Sequence, residues 1–359
     1  MRAVQLTEWG AAPQFREVAD PSPQGEELIL QVDATGLCRS DLHVMKSAAD
    51  RFDYALPLTL GHEVAGSVID VGPKADRSWI GQAVVVHGIW SCRQCRNCVR
   101  GRENYCLELA ARPDGRLAPI GNGLGRAGGL AERMVVPSSA VLVPIGTLDP
   151  RTAAPLADAA LTAYHVIRTN TDLVDNRSVV VVVGVGGLGH LALQVLRSLG
   201  VPHIIAVEIR PEAHALAAQS GAHACYATLD AASEHIADLG GADLVFDFVG
   251  APVTVEPGPG VLASGGRLVV VGGAGGRLTV GKDLRLPTGW QVSAPFWGTM
   301  DDLRAVIALA REGSLHAEIT AFPFDETLLA YQRLESNSIT GRAVVDMTAS
   351  RRPKEEAQQ

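Results

Sequence analysis

The sequence predicts an α/β protein of two domains, one a β-rich lobe and the other a doubly wound parallel sheet. Three observations predict it. At 359 residues the chain is longer than one ordinary core accommodates. Its first third alternates apolar and polar residues in short runs broken by proline and glycine, the pattern of short strands joined by turns. From Ser178 onward the pattern changes to continuous β-branched runs ending near glycines and separated by helical stretches, as expected of strands buried on both faces.

Residues 1–35 carry Pro13, Pro21, Pro23 and Gly25 as breakers, and Val18 and the run 28–32 fit strands between them. The segment 36–63 follows, with a thiol (Cys38), a hydroxyl (Ser40), two carboxylates (Asp41 and Glu63) and an imidazole (His62). A thiolate with an imidazole is a pairing that zinc favours, and a catalytic zinc keeps one position open. The competing reading is a cysteine buried for packing and a satisfied loop histidine. Val64, Val68 and Val71 are spaced for a strand that Gly72 and Pro73 stop, and residues 81–86 form another.

Cys92, Cys95 and Cys98, with Cys106 eight residues on, are the most specific local pattern. Four thiolates can wrap one tetrahedral zinc and leave it no open position, so this site is expected to be structural. The residues between them are polar or charged and have no core of their own, so a metal would supply the order that packing does not. An iron–sulfur cluster is the weaker rival for the same ligands. A glycine-rich stretch, 121–129, leads into a strand at 130–136, and Pro144, Gly146 and Pro150 suggest a boundary. The chain turns helical from Ala153. In the apolar stretch 156–164, Asp158 is either an acid at a helix N-terminus or a third ligand to the metal of Cys38 and His62.

Residues 178–183 read as the first strand of the parallel sheet. Gly184, Gly186, Gly187, Leu188 and Gly189 follow, then a helix over 190–199, then a strand over 203–207 ending at Glu208. Glycines there let a pyrophosphate approach the helix N-terminus, and an acid about 20 residues on accepts from the ribose hydroxyls. Glu208 favours NAD over NADP, with Arg210 as a counterweight. Further buried strands are expected at 242–250 and 266–272, with a broken helix between them because two prolines and two glycines oppose it. A strand at 291–298, a helix capped by Asp301 and running to Arg311, and a last strand at 339–347 returning to the first lobe complete the chain. The charged tail from Ser350 is expected to be disordered.

The formal net charge of -8 gives no support to a nucleic-acid partner, which would call for a basic patch. No apolar run is long enough to span a bilayer, and residues 1–8 lack the core of a signal peptide, so an intracellular, cytoplasmic protein is expected. Cys225, on a short buried strand, is given no function.

Taken together, Cys38-Arg39-Ser40-Asp41, Gly61-His62-Glu63, the four-cysteine loop, and the glycine motif with Glu208 resemble the zinc-containing medium-chain alcohol dehydrogenases over nearly the whole chain. Leu37-Cys38, residues 101–106 and 295–299 most resemble the bacterial NAD-dependent secondary alcohol dehydrogenases. The resemblance implies a GroES-like catalytic domain (1–155 and 298–359) and a Rossmann NAD-binding domain (156–297). It implies two zinc ions per chain, the catalytic one on Cys38, His62 and Asp158 with Glu63 as an alternating fourth ligand. Asp41 would orient His62.

It further implies that Ser40 accepts the alcohol proton, that His43 relays it, and that hydride passes to the nicotinamide. Thr162 would pack under the nicotinamide, Arg39 and Arg342 would contact the pyrophosphate, and Val249 and Val271 would line the cofactor cleft. Tyr54, Phe296 and Trp297, with His43, would wall the substrate pocket, favouring aryl-bearing or medium-sized secondary alcohols. Polyol or amino-alcohol oxidation on the same scaffold is the alternative, and a non-catalytic nucleotide-binding zinc protein is the rival from another class. A homodimer or homotetramer is expected.

Overall fold

The computed structural model describes residues 1–282 and 285–348. The expected disordered tail lies outside the described residues. Two compact units are present: Met1–Asp158 with Thr299–Glu312 and the segment from Ala317 onward, and Ala159–Gly298 with Gly313–His316.

The first unit is built on antiparallel sheet. Leu28–Leu37 is its spine, a ten-residue strand with almost every position buried, pairing with Glu63–Val71 on one side and Arg342–Asp346 on the other. Ala83–Val86 and Leu142–Pro144 extend the sheet beyond Glu63–Val71, and Ile319–Pro323 closes the far edge in the one parallel pairing of that sheet. A smaller sheet joins Gln14–Glu17, Arg2–Leu6 and Leu58–Thr59. Val18 lies just beyond its strand, and Gln14–Glu17 is exposed throughout, so the expected strand there is shorter and more peripheral than its β-branched residue suggested.

Among the elements of this unit that were not expected from the sequence are two helices. Arg39–Lys46 is a helix whose buried Asp41, Leu42, Val44 and Met45 form one face. Thr327–Glu335 is another, with Ala330 and Tyr331 buried. The helix Met300–Arg311 is capped by Thr299, whose hydroxyl oxygen accepts from the Asp302 N–H while Asp302 accepts in return. Asp301, the expected cap, is an exposed residue of the first turn. A hydroxyl two positions upstream satisfies the free amides better than an acid already inside the helix.

The second unit is a six-stranded parallel sheet in the order Ala224–Tyr226, His203–Val207, Val179–Val183, Ala242–Asp247, Leu262–Val270, Gln291–Ser293. Every residue of Val179–Val183 is buried, which is why that strand reads as an unbroken valine run. The strand order reverses between it and Ala242–Asp247, the crevice where open α/β sheets bind ligands. The connection before Leu262 breaks into the short helix Pro252–Val255 and a 3-10 turn, Gly258–Val261, as the prolines and glycines require. Two expectations need correction. The strand expected to reach residue 298 stops at Ser293 and is exposed along its length, and Cys225 sits on a strand that is half-buried, not buried.

Candidate metal centres and dinucleotide site

Cys38 ends the spine strand and caps the helix Arg39–Lys46 in extended backbone, so its thiol leaves the sheet edge toward the buried interior. Asp41, three residues on, is fully buried. Its Oδ2 accepts the Cys38 N–H at 3.0 Å, and its Oδ1 meets His62 Nδ1 at 2.9 Å. One carboxylate thus fixes both the backbone of Cys38 and the tilt and tautomer of His62, leaving Nε2 to face the site.

Glu63 begins the neighbouring strand opposite Gly36. A Cβ at position 36 would lie 2.0 Å from Glu63 Oε2, so glycine there is what makes room for the carboxylate. Asp158 lies where the 3-10 turn Ala154–Ala157 breaks, at φ -133, ahead of the helix Ala159–Arg168. The break turns it out of the helix and into the cluster.

Cys38, His62, Glu63 and Asp158 are all buried, and their ligand atoms lie within 4.8 Å of one another. Asp158 Oδ2 is 3.5 Å from Cys38 Sγ and 3.5 Å from His62 Nε2. Tetrahedral zinc with ordinary bond lengths puts a sulfur and an oxygen ligand roughly 3.5 Å apart, and a nitrogen and an oxygen ligand roughly 3.3 Å apart. The donor set therefore fits a zinc ion both in chemistry and in size.

Electrostatics agree. Burial disfavours the charged imidazole of His62, but Asp41, Asp158 and Cys38 outweigh it and hold the ring well above the ordinary histidine range. Burial likewise opposes the Cys38 thiolate, but Arg342, assisted by His62, holds the thiol below its usual range. A metal ion bound there would supply the positive charge that this buried thiol and these carboxylates favour.

Arg342, expected to contact the cofactor pyrophosphate, is buried with its Nε donating to Glu63 Oε2 at 3.0 Å and its terminal nitrogen donating to Glu63 Oε1. The same nitrogen reaches Asp158 Oδ2 at 3.4 Å. Local sequence carried no sign of this ion pair, because 279 residues separate its partners. Tyr331 was missed for the same reason. It is fully buried, and its hydroxyl, pushed well up by burial and then by the charge of Asp41, borders the Asp41 carboxylate.

Ser40 Oγ is 3.6 Å from Cys38 Sγ. His43 stands on the exposed side of the same helix, where partial desolvation and then the charges of Arg39 and Lys46 hold its pKa below the ordinary range. Arg39 is exposed and donates to Asn337 Oδ1. Tyr54 is half-buried, and burial drives its hydroxyl pKa up against the opposing charge of His62.

In the four-cysteine loop, the sulfur pairs Cys92–Cys98, Cys95–Cys98, Cys95–Cys106 and Cys92–Cys106 are 3.9, 3.5, 4.0 and 3.5 Å apart. The edge of a ZnS4 tetrahedron is roughly 3.8 Å. Backbone amides of Cys95 and Leu107 donate to Cys92 and Cys95 sulfur. The amides of Leu107 and Cys98 bring the Cys95 thiol down to about 6, which favours the thiolate form that a metal binds.

In the second unit, a Cβ on Gly189 would lie 1.9 Å from the Gly184 carbonyl oxygen, and Gly184 itself has φ +87. The strand-to-helix turn closes only on glycine at these two positions. Gly186 has open space where a side chain would stand, leaving its backbone bare to a diphosphate. Gly187 and Leu188 complete the turn, Leu188 standing at the N-cap of Gly189–Ser198. Glu208 Oε2 accepts the Val185 N–H at 2.8 Å, and its Oε1 accepts Arg210 Nε at 3.0 Å.

Asp247, not singled out by sequence, is fully buried and accepts from the amides of Val249 and Gly250 and from Thr254 Oγ1, which shapes the turn carrying Val249. The Val271 N–H donates to the Asp247 carbonyl oxygen. Thr162 is buried in the helix Ala159–Arg168. Phe296 is 43% exposed, whereas Trp297 is buried at φ +53, a strained conformation for a bulky residue.

Comparison with known proteins identifies the family. Residues 24–147 match the family model of the alcohol dehydrogenase GroES-like domain, and residues 187–312 match that of the zinc-binding dehydrogenases. A D-arabinose 1-dehydrogenase (NADP(+)) of Saccharolobus solfataricus is 31% identical over 96% of this chain and 97% of its own. An NAD-dependent alcohol dehydrogenase of Sulfolobus acidocaldarius is 30% identical over 97% of this chain and all of its own. The structure of an acetophenone reductase from Geotrichum candidum in complex with NAD superposes with a TM-score of 0.82 at 26% identity, covering 96% of each chain. The chain belongs to the zinc-containing medium-chain alcohol dehydrogenase family.

Proposed function

We propose that this protein interconverts alcohols and carbonyl compounds by hydride transfer to and from NAD, acting on secondary alcohols and ketones and also on primary alcohols and aldehydes. The carrying observation is the convergence of a thiol, an imidazole and a carboxylate at zinc-ligand separations. Cys38, His62 and Asp158 would hold the catalytic zinc, with Glu63, held by Arg342, as the alternating ligand. Cys92, Cys95, Cys98 and Cys106 would hold the structural one. Bound there, the catalytic zinc supplies Lewis acidity that makes an alcohol hydroxyl a stronger acid.

Around it, Asp41 orients His62, Ser40 takes the hydroxyl proton at Oγ, and His43 passes it on through its ring. Gly184, Gly186, Gly187, Leu188 and Gly189 receive the cofactor diphosphate, and Glu208 its ribose, with Arg210 holding Glu208 in place. Thr162, Val249 and Val271 would line the nicotinamide side, with Arg39 available to the diphosphate. Arg342, which the resemblance assigns to the diphosphate, directs its donors at Glu63. The domain limits that accompany this reading are 1–155 with 298–359, and 156–297.

Tyr54, read as a wall of the substrate pocket, favours aryl-bearing secondary alcohols, in line with the acetophenone reductase. The arabinose dehydrogenase supports a second reading, oxidation of sugars or polyols. A panel read by NADH absorbance separates them: faster turnover of a 1-arylethanol than of sorbitol or an aldopentose supports the first, and the reverse order replaces it with the second.

A homodimer or homotetramer is inferred, because Gln291–Ser293 is an exposed sheet edge with Val292 41% exposed. Light scattering showing a monomer would end that inference. A cytoplasmic location is supported by six free cysteines and by the lack, among the described residues, of a helix long and apolar enough to cross a membrane.

A further inference from the structure

Three aromatic rings of the first unit pack against one another in a triangle. Trp9 lies on Phe52 with centroids 5.9 Å apart and planes 11° apart, and Phe52 lies on Tyr54 with centroids 4.6 Å apart and planes 30° apart. Trp9 is also tilted toward Tyr54, at 6.4 Å.

The stack is held from both ends. Behind Trp9, the Gly10 N–H donates to the Met45 carbonyl oxygen at 2.9 Å, which ties the first ring to the helix that follows Cys38. Around Phe52, the Asp53 N–H donates to the Leu117 carbonyl oxygen, and the Leu117 N–H to that of Arg51. The Asp53 side chain is clamped by Arg112 at 2.9 Å and Arg116 at 3.0 Å.

On its far side, Tyr54 rests where Gly125 has no side chain. A Cβ there would lie 2.8 Å from Tyr54 Cδ1. The glycine-rich stretch that sequence left without a function therefore has a task. Asn122 of the same stretch donates to the His62 carbonyl oxygen at 3.1 Å, and a Cβ on Gly123 would lie 2.6 Å from Gly61 backbone. One loop seats both the Tyr54 ring and the backbone that carries His62.

We propose that Trp9 is a positioning residue for substrate selection, acting with Phe52 to hold the plane of Tyr54 so that the pocket favours a flat aryl group next to the carbinol carbon. The inference rests on the reading of Tyr54 as a wall of the substrate pocket. A free Tyr54 ring would turn about its side-chain bonds and meet an aryl substrate at no fixed angle. Backed by two rings, it presents one face, and offset stacking rewards only the matching orientation. An aliphatic chain has no plane to align and is indifferent to the ring's angle.

The test compares 1-phenylethanol with 2-octanol on the zinc-loaded protein. Trp9→Ala is expected to raise KM for 1-phenylethanol about fivefold, the size of one aromatic pairing, with kcat and the constants for 2-octanol unchanged. Trp9→Phe, which keeps a ring in the stack, restores most of the loss. Tyr54→Ala is the control for the underlying reading, and it should abolish the aryl preference. If Tyr54→Ala does so while Trp9→Ala leaves the ratio of the two substrates unchanged, the role of Trp9 is refuted and Tyr54 remains a wall. If Tyr54→Ala leaves the ratio unchanged, the pocket reading fails and this inference with it. Zinc content and circular dichroism of each variant separate a selective loss from misfolding, and equal losses on both substrates in a folded, fully loaded Trp9→Ala protein also refute the proposal.

Discussion

Gly36→Ala tests the packing that carries the metal site. The added Cβ would lie 2.0 Å from Glu63 Oε2 and 3.0 Å from Glu63 Cβ and Cδ, at the last registered pair of the two strands. Side-chain carbons do not approach closer than 3.0 Å, so the carboxylate must retreat by about an ångström, away from its two bonds to Arg342. Arg342 is 5% exposed and Glu63 is fully buried, so neither recovers its hydration when the pair opens. Breaking a buried pair costs about 3 kcal/mol or more. For a unit of this size that is a fall in Tm of roughly 6–12 °C.

Thermal unfolding of the zinc-loaded protein reads it, with Glu63→Ala as the second arm of a double-mutant cycle. In the Glu63→Ala background the colliding carboxylate is gone, and Gly36→Ala should cost under about 1 kcal/mol. An unchanged Tm in the single Gly36→Ala variant, or the same loss in both backgrounds, refutes the reasoning.

Asp41→Asn should weaken zinc binding at the Cys38 site by roughly 10–100-fold without touching the four-cysteine site, measured by competition with a chromophoric chelator. Glu208→Ala should raise KM for NAD while leaving kcat nearly unchanged and narrowing the gap to NADP, because it frees Arg210 for a 2′-phosphate; an unaltered NAD/NADP ratio would contradict it. His190 is buried, with its Nδ1 hydrogen-bonded to the Gly186 carbonyl oxygen and its pKa brought down to about 4 by burial. The unfolded chain, with histidine near 6.5, binds this proton first, so stability falls as pH drops from about 6.5 to 4, by up to about 3 kcal/mol. His190→Asn should therefore lose less Tm than the parent over that range, and parallel curves would contradict this.

What the sequence carried was local. The valine run 179–183, the glycines at 184 and 189 and the acid at 208 lie within 30 residues of one another, and each has one dominant physical use. The four cysteines are equally compact. Asp158 was undecided from its neighbours, because an acid in an apolar stretch satisfies both a helix end and a metal; the break in the helix at φ -133 is what turns it inward.

Other features were invisible because their causes lie far away in the chain. The helix Arg39–Lys46 has a buried carboxylate on its apolar face, which looks polar until His62 and Cys38 arrive as partners. Arg342 reads as a cofactor contact by analogy, yet it is directed at Glu63 by strand register that no local window contains. Trp297 was placed on a strand by its apolar neighbours, yet the strand stops at Ser293, two residues before Pro295, and Trp297 stands beyond it at positive φ.

The most direct measurement is metal content by mass spectrometry of the purified protein and of Asp158→Ala. The account predicts two zinc ions per chain in the parent, one for each ligand set, and one in the variant, retained by Cys92, Cys95, Cys98 and Cys106. Two zinc ions in Asp158→Ala, or one in the parent, would contradict it.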